Sequence, residues 1–168
     1  ALALCGAIFL AAGLARYGLA DRSHRPQPLS ITFADQIRLQ GYELADPVLA
    51  PGDTLSLRLY WLALATPEQD NKVFLHLIPP DGSGFVAQAD GYPNLGYRPM
   101  SGWEPGELVM DEQMLILPAD LAPGRYRLLV GLYREDTAQN LIARGEAEIL
   151  PGDRVVLADI EVRAAEAR

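Results

Sequence analysis

The stretch that decides the fold runs from Thr54 to Ala63 and reads Thr-Leu-Ser-Leu-Arg-Leu-Tyr-Trp-Leu-Ala. Every second side chain in it is apolar, so that one face carries Leu55, Leu57, Leu59, Trp61 and Ala63. Most side chains on the opposite face are polar. Alternation with a period of two is typical of a strand that buries one face and leaves the other in water. The sequence therefore predicts a half-buried strand over residues 54–63.

Similar short segments recur along the chain. They predict strands over residues 29–33, 37–44, 72–78, 84–89, 108–117, 125–134, 141–149 and 154–162. Four Pro-Gly pairs, each directly before a predicted strand, suit type II turns: Pro51-Gly52, Pro105-Gly106, Pro123-Gly124 and Pro151-Gly152. Many short strands between regular turns predict an all-β domain, an antiparallel immunoglobulin-like β-sandwich over residues 29–163.

The beginning of the chain is apolar and carries no charge before Arg16. We interpret residues 1–20 as the end of a transmembrane helix with Arg16 and Tyr17 at its interfacial end, which gives the chain a membrane attachment. A signal segment and a buried helix of the domain are the alternatives. Residues 21–28 contain two prolines and predict a linker, and residues 164–168 predict a frayed tail.

Charge and cysteine content exclude several classes of partner. The chain has 168 residues, with 14 Lys and Arg against 22 Asp and Glu, and its net charge is -8. An acidic domain repels phosphate backbones, so we expect no nucleic-acid binding. The single cysteine, Cys5, excludes an internal disulfide and a cysteine-based zinc site. The acidic residues match no calcium loop, and we predict no metal and no cofactor.

Motifs for catalysis are missing from the sequence. There is no Gly-x-Ser-x-Gly elbow, no phosphate loop and no His-Glu-x-x-His. His76 lies in an apolar predicted strand, and the only other histidine is His24 in the linker. No nucleophile is therefore matched to a base, and we predict that this chain is not itself an enzyme.

A series of short motifs follows in a fixed order along the predicted sandwich. It includes Gly41-Tyr42-Glu43-Leu44, Pro51-Gly52-Asp53, Leu59-Tyr60-Trp61, Phe74-Leu75-His76-Leu77, Trp103-Glu104-Pro105-Gly106-Glu107 and Val130-Gly131-Leu132-Tyr133. Over residues 30–162 the series resembles the C-terminal β-sandwich domain of polytopic, dolichyl-phosphate-mannose-type membrane glycosyltransferases of bacteria such as Chloroflexi. In that family the catalytic acidic residues lie in the membrane part, so the resemblance assigns no catalytic residue here. It implies an accessory domain on the extracytoplasmic side, whereas Arg16, Arg22 and Arg25 favour the cytoplasmic side by the positive-inside tendency.

The segment from Asp90 to Trp103 is the most unusual part of the chain, because it is long, lacks a strand pattern and is rich in Gly, Pro and aromatic residues. Long structured loops often carry function. The predicted ligand-binding residues are Asp90, Tyr92, Asn94, Tyr97, Arg98 and Trp103. Flat aromatic rings suit the apolar faces of sugars, and the planar polar side chains suit sugar hydroxyls. The alternative is a structural loop in which Trp103 plugs one end of the sandwich and Asp90 caps backbone amides.

Two hypotheses for function follow from these features. The first is a noncatalytic, membrane-tethered module that binds a glycan or a lipid-linked sugar, or that steadies the membrane domain of its own parent protein. The second is a structural or protein-interaction domain that docks through exposed sheet edges or through the 90–103 loop.

Overall fold

A computed structural model describes residues 26–164, which form two packed β-sheets. The strands in these residues are β1 (Gln27–Phe33), β2 (Ile37–Leu44), β3 (Val48–Leu49), β4 (Thr54–Ala63), β5 (Asn71–Ile78), β6 (Ala87–Gly91), β7 (Leu108–Ile116), β8 (Gly124–Arg134), β9 (Gln139–Asn140), β10 (Ala143–Gly145), β11 (Ile149–Leu150) and β12 (Arg154–Val162). Two short 3-10 helices, Pro93–Gly96 and Met100–Gly102, lie between β6 and β7. The all-β prediction is confirmed for this part of the chain.

The first sheet has the strand order β10-β1-β2-β4-β7, and the second has the order β11-β12-β8-β5-β6. Pairing is antiparallel except between β12 and β3. The prediction of an antiparallel sandwich is therefore confirmed, but the strand order is not that of an antibody domain. There the second and third strands lie in different sheets, whereas here the long strands β2 and β4 pair in one sheet over seven residue pairs.

The core lies between the two sheets and follows the predicted alternation. The inward row of β4 is buried at every position from Leu55 to Ala63. Facing it, Leu128, Val130 and Leu132 of β8 are fully buried. Because both rows are apolar, closing the sheets removes a large apolar area from water, the dominant favourable term in folding.

Three of the four Pro-Gly corners have the predicted geometry. Gly52, Gly106 and Gly152 have φ of 85°, 86° and 82°, which only glycine adopts without steric strain. Gly124 differs, because it is the first residue of β8 and belongs to the strand.

Some predicted bounds differ from the structure. The predicted strand 141–149 is broken: β10 pairs with β1 in the first sheet, and β11 pairs with β12 in the second. The chain passes between the sheets at this point, so one continuous strand is impossible. The predicted strand 84–89 begins only at Ala87, because Gly84 has φ of 94° and leaves extended geometry. β1 begins at Gln27, within the predicted linker.

The predicted transmembrane segment, residues 1–20, lies outside the described residues, as do residues 21–25 of the linker and 165–168 of the tail. Among the described residues, no helix has both the length and the hydropathy needed to cross a bilayer.

Candidate functional site

The segment between β6 and β7 is anchored against β7, the edge strand of the first sheet. It is shorter than the predicted 90–103 loop, because Asp90 and Gly91 belong to β6 and pair with Phe74 and Val73 of β5. The backbone N–H of Asn94 donates to Oδ1 of Asp111 at 2.8 Å, and its side-chain amide donates to the carbonyl of Met110 at 2.9 Å. Asn94 and Leu95 both have positive φ, 50° and 56°. This conformation is uncommon for leucine and costs energy, so the anchor holds a strained turn in place.

Asp111 is a buried carboxylate beneath this turn, with no exposed surface. Besides the bond from Asn94, it accepts hydrogen bonds from Nε1 of Trp61 at 3.3 Å and from Nε2 of Gln113 at 3.0 Å. Burial raises the pKa of Asp111, and the hydrogen bonds from Asn94, Gln113 and Trp61 oppose that rise. Asp111 thus connects the core tryptophan to the loop.

Trp103, one of the predicted ligand-binding residues, is fully buried. Its Nε1 donates to the carbonyl of Arg98 at 3.1 Å, which closes the end of the loop. Trp103 therefore has the position expected for a structural loop, in which its side chain plugs one end of the sandwich. Its ring faces are not available to a ligand.

The other predicted residues lie in four separate places. Asp90 lies beside His76, with 3.9 Å between Oδ1 and Nε2. The Tyr92 hydroxyl donates to Glu135, and the ring of Tyr92 lies under the ammonium group of Lys72. Arg98 forms an ion pair with Glu107. Asn94 and Tyr97 alone stay together, at a groove on the first sheet.

This groove has a volume of about 710 Å³, within the range of small-molecule sites. Its base is the outer face of β2, β4 and β7, and the turn at residues 93–97 forms one wall. The wall carries Leu95 and Tyr97, whose side chains are 84% and 89% exposed. Met114 of β7, 65% exposed, adds apolar surface to the base.

Three charged side chains form a row across the base, because strand register pairs Glu43 with Arg58 and Arg58 with Glu112. Nε of Arg58 donates to Glu112 at 3.0 Å, and an Arg58 guanidinium nitrogen lies 3.8 Å from Oε2 of Glu43. The hydrogen bond to Glu112 is the main reason that the pKa of Arg58 is raised.

Glu43 is the unusual member of the row, since it is only 3% exposed. The hydroxyl of Tyr60 donates to its Oε2 at 2.8 Å. Burial, followed by this bond, raises the pKa of Tyr60. Oε1 of Glu43 is buried without a hydrogen-bond partner. An unsatisfied buried acceptor is destabilising, by about 1–3 kcal/mol, and is rare in native proteins.

Sequence reasoning did not find Glu43, Arg58 or Glu112 as site residues. The available signal was that Arg58 is a charged residue in the middle of the outward row of β4. No group of three or more His, Cys, Asp or Glu side chains within residues 26–164 is placed to hold a metal ion.

Comparisons with known proteins concern the fold. No protein-family model matches the sequence, and no curated protein matches it. Among solved structures, the C-terminal domain of Wzt is similar, with a TM-score of 0.56 and 14% identity over 86% of this chain and 83% of that chain. At this identity the likeness shows a shared β-sandwich fold and nothing about ligands.

Two further solved structures overlap less well. One is the alkylpurine DNA glycosylase AlkC of Pseudomonas fluorescens, bound to DNA, with a TM-score of 0.41 and 14% identity over 84% of this chain and 31% of that chain. The other is the CARDB domain of a Pyrococcus furiosus protein in complex with di-metal ions, with a TM-score of 0.39 and 13% identity over 88% and 100%. Overlaps of this quality carry no argument about the present chain.

Proposed function

We propose that this chain is a noncatalytic binding module that takes a glycan, or the sugar end of a lipid-linked sugar, in the groove on the first sheet. The observation that carries the proposal is the meeting of an exposed tyrosine ring with a buried, incompletely bonded carboxylate in one groove. Tyr97 offers an apolar face for a sugar ring, and Glu43 offers an acceptor for a hydroxyl.

The chemistry of a carbohydrate matches this arrangement. A pyranose has apolar ring faces and a rim of hydroxyl groups, and a binding site needs both kinds of surface. Leu95, Tyr97 and Met114 supply the apolar surface, while Glu43, Arg58 and Glu112 supply the polar one. The proposed site shares Asn94 and Tyr97 with the site predicted from the sequence. It uses side chains of the first sheet in place of Trp103.

The wider context of the proposal is the accessory part of a membrane glycosyltransferase on the extracytoplasmic side. It is supported by the ordered motifs of residues 30–162 and by the apolar residues 1–20. Protease treatment of intact cells tests the location. Cleavage of the domain without lysis supports the extracytoplasmic side, and cleavage only after lysis overturns it.

Titration calorimetry of the full chain with neutral oligosaccharides tests the binding. The detergent must lack a sugar headgroup, which would compete. We expect Tyr97→Ala to weaken binding by about 1–3 kcal/mol, the contribution of a well-packed aromatic contact. Phe85→Ala is the matched control, because Phe85 is an exposed aromatic residue that stacks on His76 of the second sheet. Absence of binding by every sugar, or equal loss in both variants, refutes the proposal.

A second candidate function rests on the exposed apolar side chains of the edge strand β7. Leu108, Met114 and Ile116 project outward and are 41%, 65% and 71% exposed. Exposed apolar side chains on an edge strand are suited to docking, and the proposed partner is the membrane domain of the parent protein. Ile116→Lys, which lies outside the groove lining, should break such docking and leave sugar binding unchanged. Retained docking in a co-purification assay refutes this candidate.

A further inference from the structure

The charges around the groove define which sugars it can accept. Two carboxylates and one guanidinium line it, so the formal charges of these three side chains sum to -1. The field of the whole protein has the same sign, because the chain carries 22 acidic against 14 basic residues. An anionic ligand is therefore opposed at long and at short range.

The one cation in the row does not reverse this preference. Arg58 already donates to Glu112 and lies close to Glu43. Its charge is thus shared between two carboxylates before any ligand arrives, and a third carboxylate would compete with both.

Oε1 of Glu43 lacks a hydrogen-bond donor. A carboxylate oxygen such as Oε1 accepts hydrogen bonds and does not donate them. Because Oε1 is buried, a donor reaches it only after a neighbouring side chain moves. Arg58 lies 3.8 Å from the other oxygen, Oε2. It is suited to move, because its side chain is 36% exposed and that of its partner Glu112 is 63% exposed. Exposed ion pairs of this type are weak, at about 0–1 kcal/mol.

Resting on the proposed function, we infer that the groove selects sugars that present hydroxyl or ammonium donors and rejects sugars that carry carboxylate or phosphate at the bound end. Glu43 is the specificity-determining residue. In a lipid-linked sugar, the phosphate then lies outside the groove and the distal sugar lies inside.

Three tetrasaccharides with the same β-1,4-linked glucose-type backbone test this inference: the neutral glucose oligomer, the glucosamine oligomer and the glucuronate oligomer. They are titrated into the full chain at two ionic strengths. We expect the glucuronate oligomer to bind at least about fivefold more weakly than the neutral one, the effect of one unit charge at about 4 Å in water. The glucosamine oligomer should bind at least as well as the neutral one. High salt should reduce these differences.

Two variants assign the effect to the charges. Glu43→Gln keeps an oxygen for the Tyr60 hydroxyl and removes the negative charge, so the preference against glucuronate should fall to about twofold or less. Arg58→Gln removes the positive charge, so the same preference should increase. The urea midpoint of each variant identifies a folding defect, and the salt dependence of the wild-type chain tests the inference without any variant.

The outcomes separate the two claims. If no tetrasaccharide binds, the proposed function fails. If all three bind with equal affinity and without salt dependence, or if glucuronate binds best, the proposed function stands and the charge selection is overturned.

Discussion

Replacing Asp111 with alanine tests how the core holds the candidate site. The substitution leaves the backbone N–H of Asn94 and the indole N–H of Trp61 without their acceptor. A buried donor that loses its partner is destabilising by about 1–3 kcal/mol. Removing a buried charge offsets part of this loss. We therefore expect the free energy of unfolding to fall by about 2–4 kcal/mol for Asp111→Ala.

Asp111→Asn is the matched control, because asparagine keeps one side-chain oxygen and the volume of the side chain. It can still accept from Asn94 or Trp61, so we expect a loss of only about 1 kcal/mol at neutral pH. Both variants should also weaken sugar binding, since the turn that carries Tyr97 is fixed through Asn94.

The pH dependence of stability distinguishes the protonated from the ionised form of Asp111. Its pKa is raised in the folded protein above the unfolded value of 3.8, so the folded state binds more protons in the window above 3.8. The stabilisation from protonated Asp111 is fully present below that pH and is lost as the pH rises through the folded pKa. Asp111→Asn lacks this contribution, so the advantage of the wild type over Asp111→Asn should shrink as the pH rises.

Urea unfolding of the full chain at about pH 3.5 and about pH 7, followed by fluorescence, measures these values. The two tryptophans of the chain, Trp61 and Trp103, are both buried and report directly on this region. If Asp111→Ala is as stable as the wild type, or if the advantage over Asp111→Asn grows with pH, the role given to Asp111 is wrong.

Three further predictions concern stability. In Gly131→Ala the new Cβ would lie 2.1 Å from Cζ of Phe74, so the free energy of unfolding should fall by about 1–3 kcal/mol. Gly91→Ala is the control, because its new Cβ meets open space and should change the stability little. Equal losses in the two variants would contradict the tight packing at Gly131. Burial lowers the pKa of His76, so the free energy of unfolding of the wild type should rise with pH in the window below 6.5. If His76→Gln shows the same dependence of stability on pH, this assignment is wrong. Tyr42→Phe removes a hydrogen bond of 2.6 Å to the opposite sheet and should lose about 1 kcal/mol in urea unfolding, and no loss refutes a bridging role.

Much of the fold was predictable because apolar side chains recur at every second position along most of its long strands. The predicted bounds of 37–44, 54–63 and 154–162 coincide with β2, β4 and β12. The prediction of a single strand over residues 141–149 was wrong, because the alternation there does not reveal that β10 and β11 belong to different sheets. Such a crossing depends on tertiary pairing, which a local period does not encode.

Of the candidate site, only the loop was predictable from the sequence. Composition singled out residues 90–103, but it could not distinguish the buried ring of Trp103 from the exposed ring of Tyr97. The charged row was hidden by a register shift between Leu39 and Gly41 in β2. A bulge there shifts the alternation by one residue, so Glu43 faces outward beside Arg58, and a simple period of two would misplace it.

Mapping of chemical shifts in the full chain, during titration with the neutral tetrasaccharide, tests the central claim most directly. We predict that the largest shifts occur at Leu95, Tyr97 and Met114 and at the strand position of Glu43. The largest shifts around Phe85 on the second sheet, or no shifts at saturating sugar, would contradict a sugar-binding groove on the first sheet.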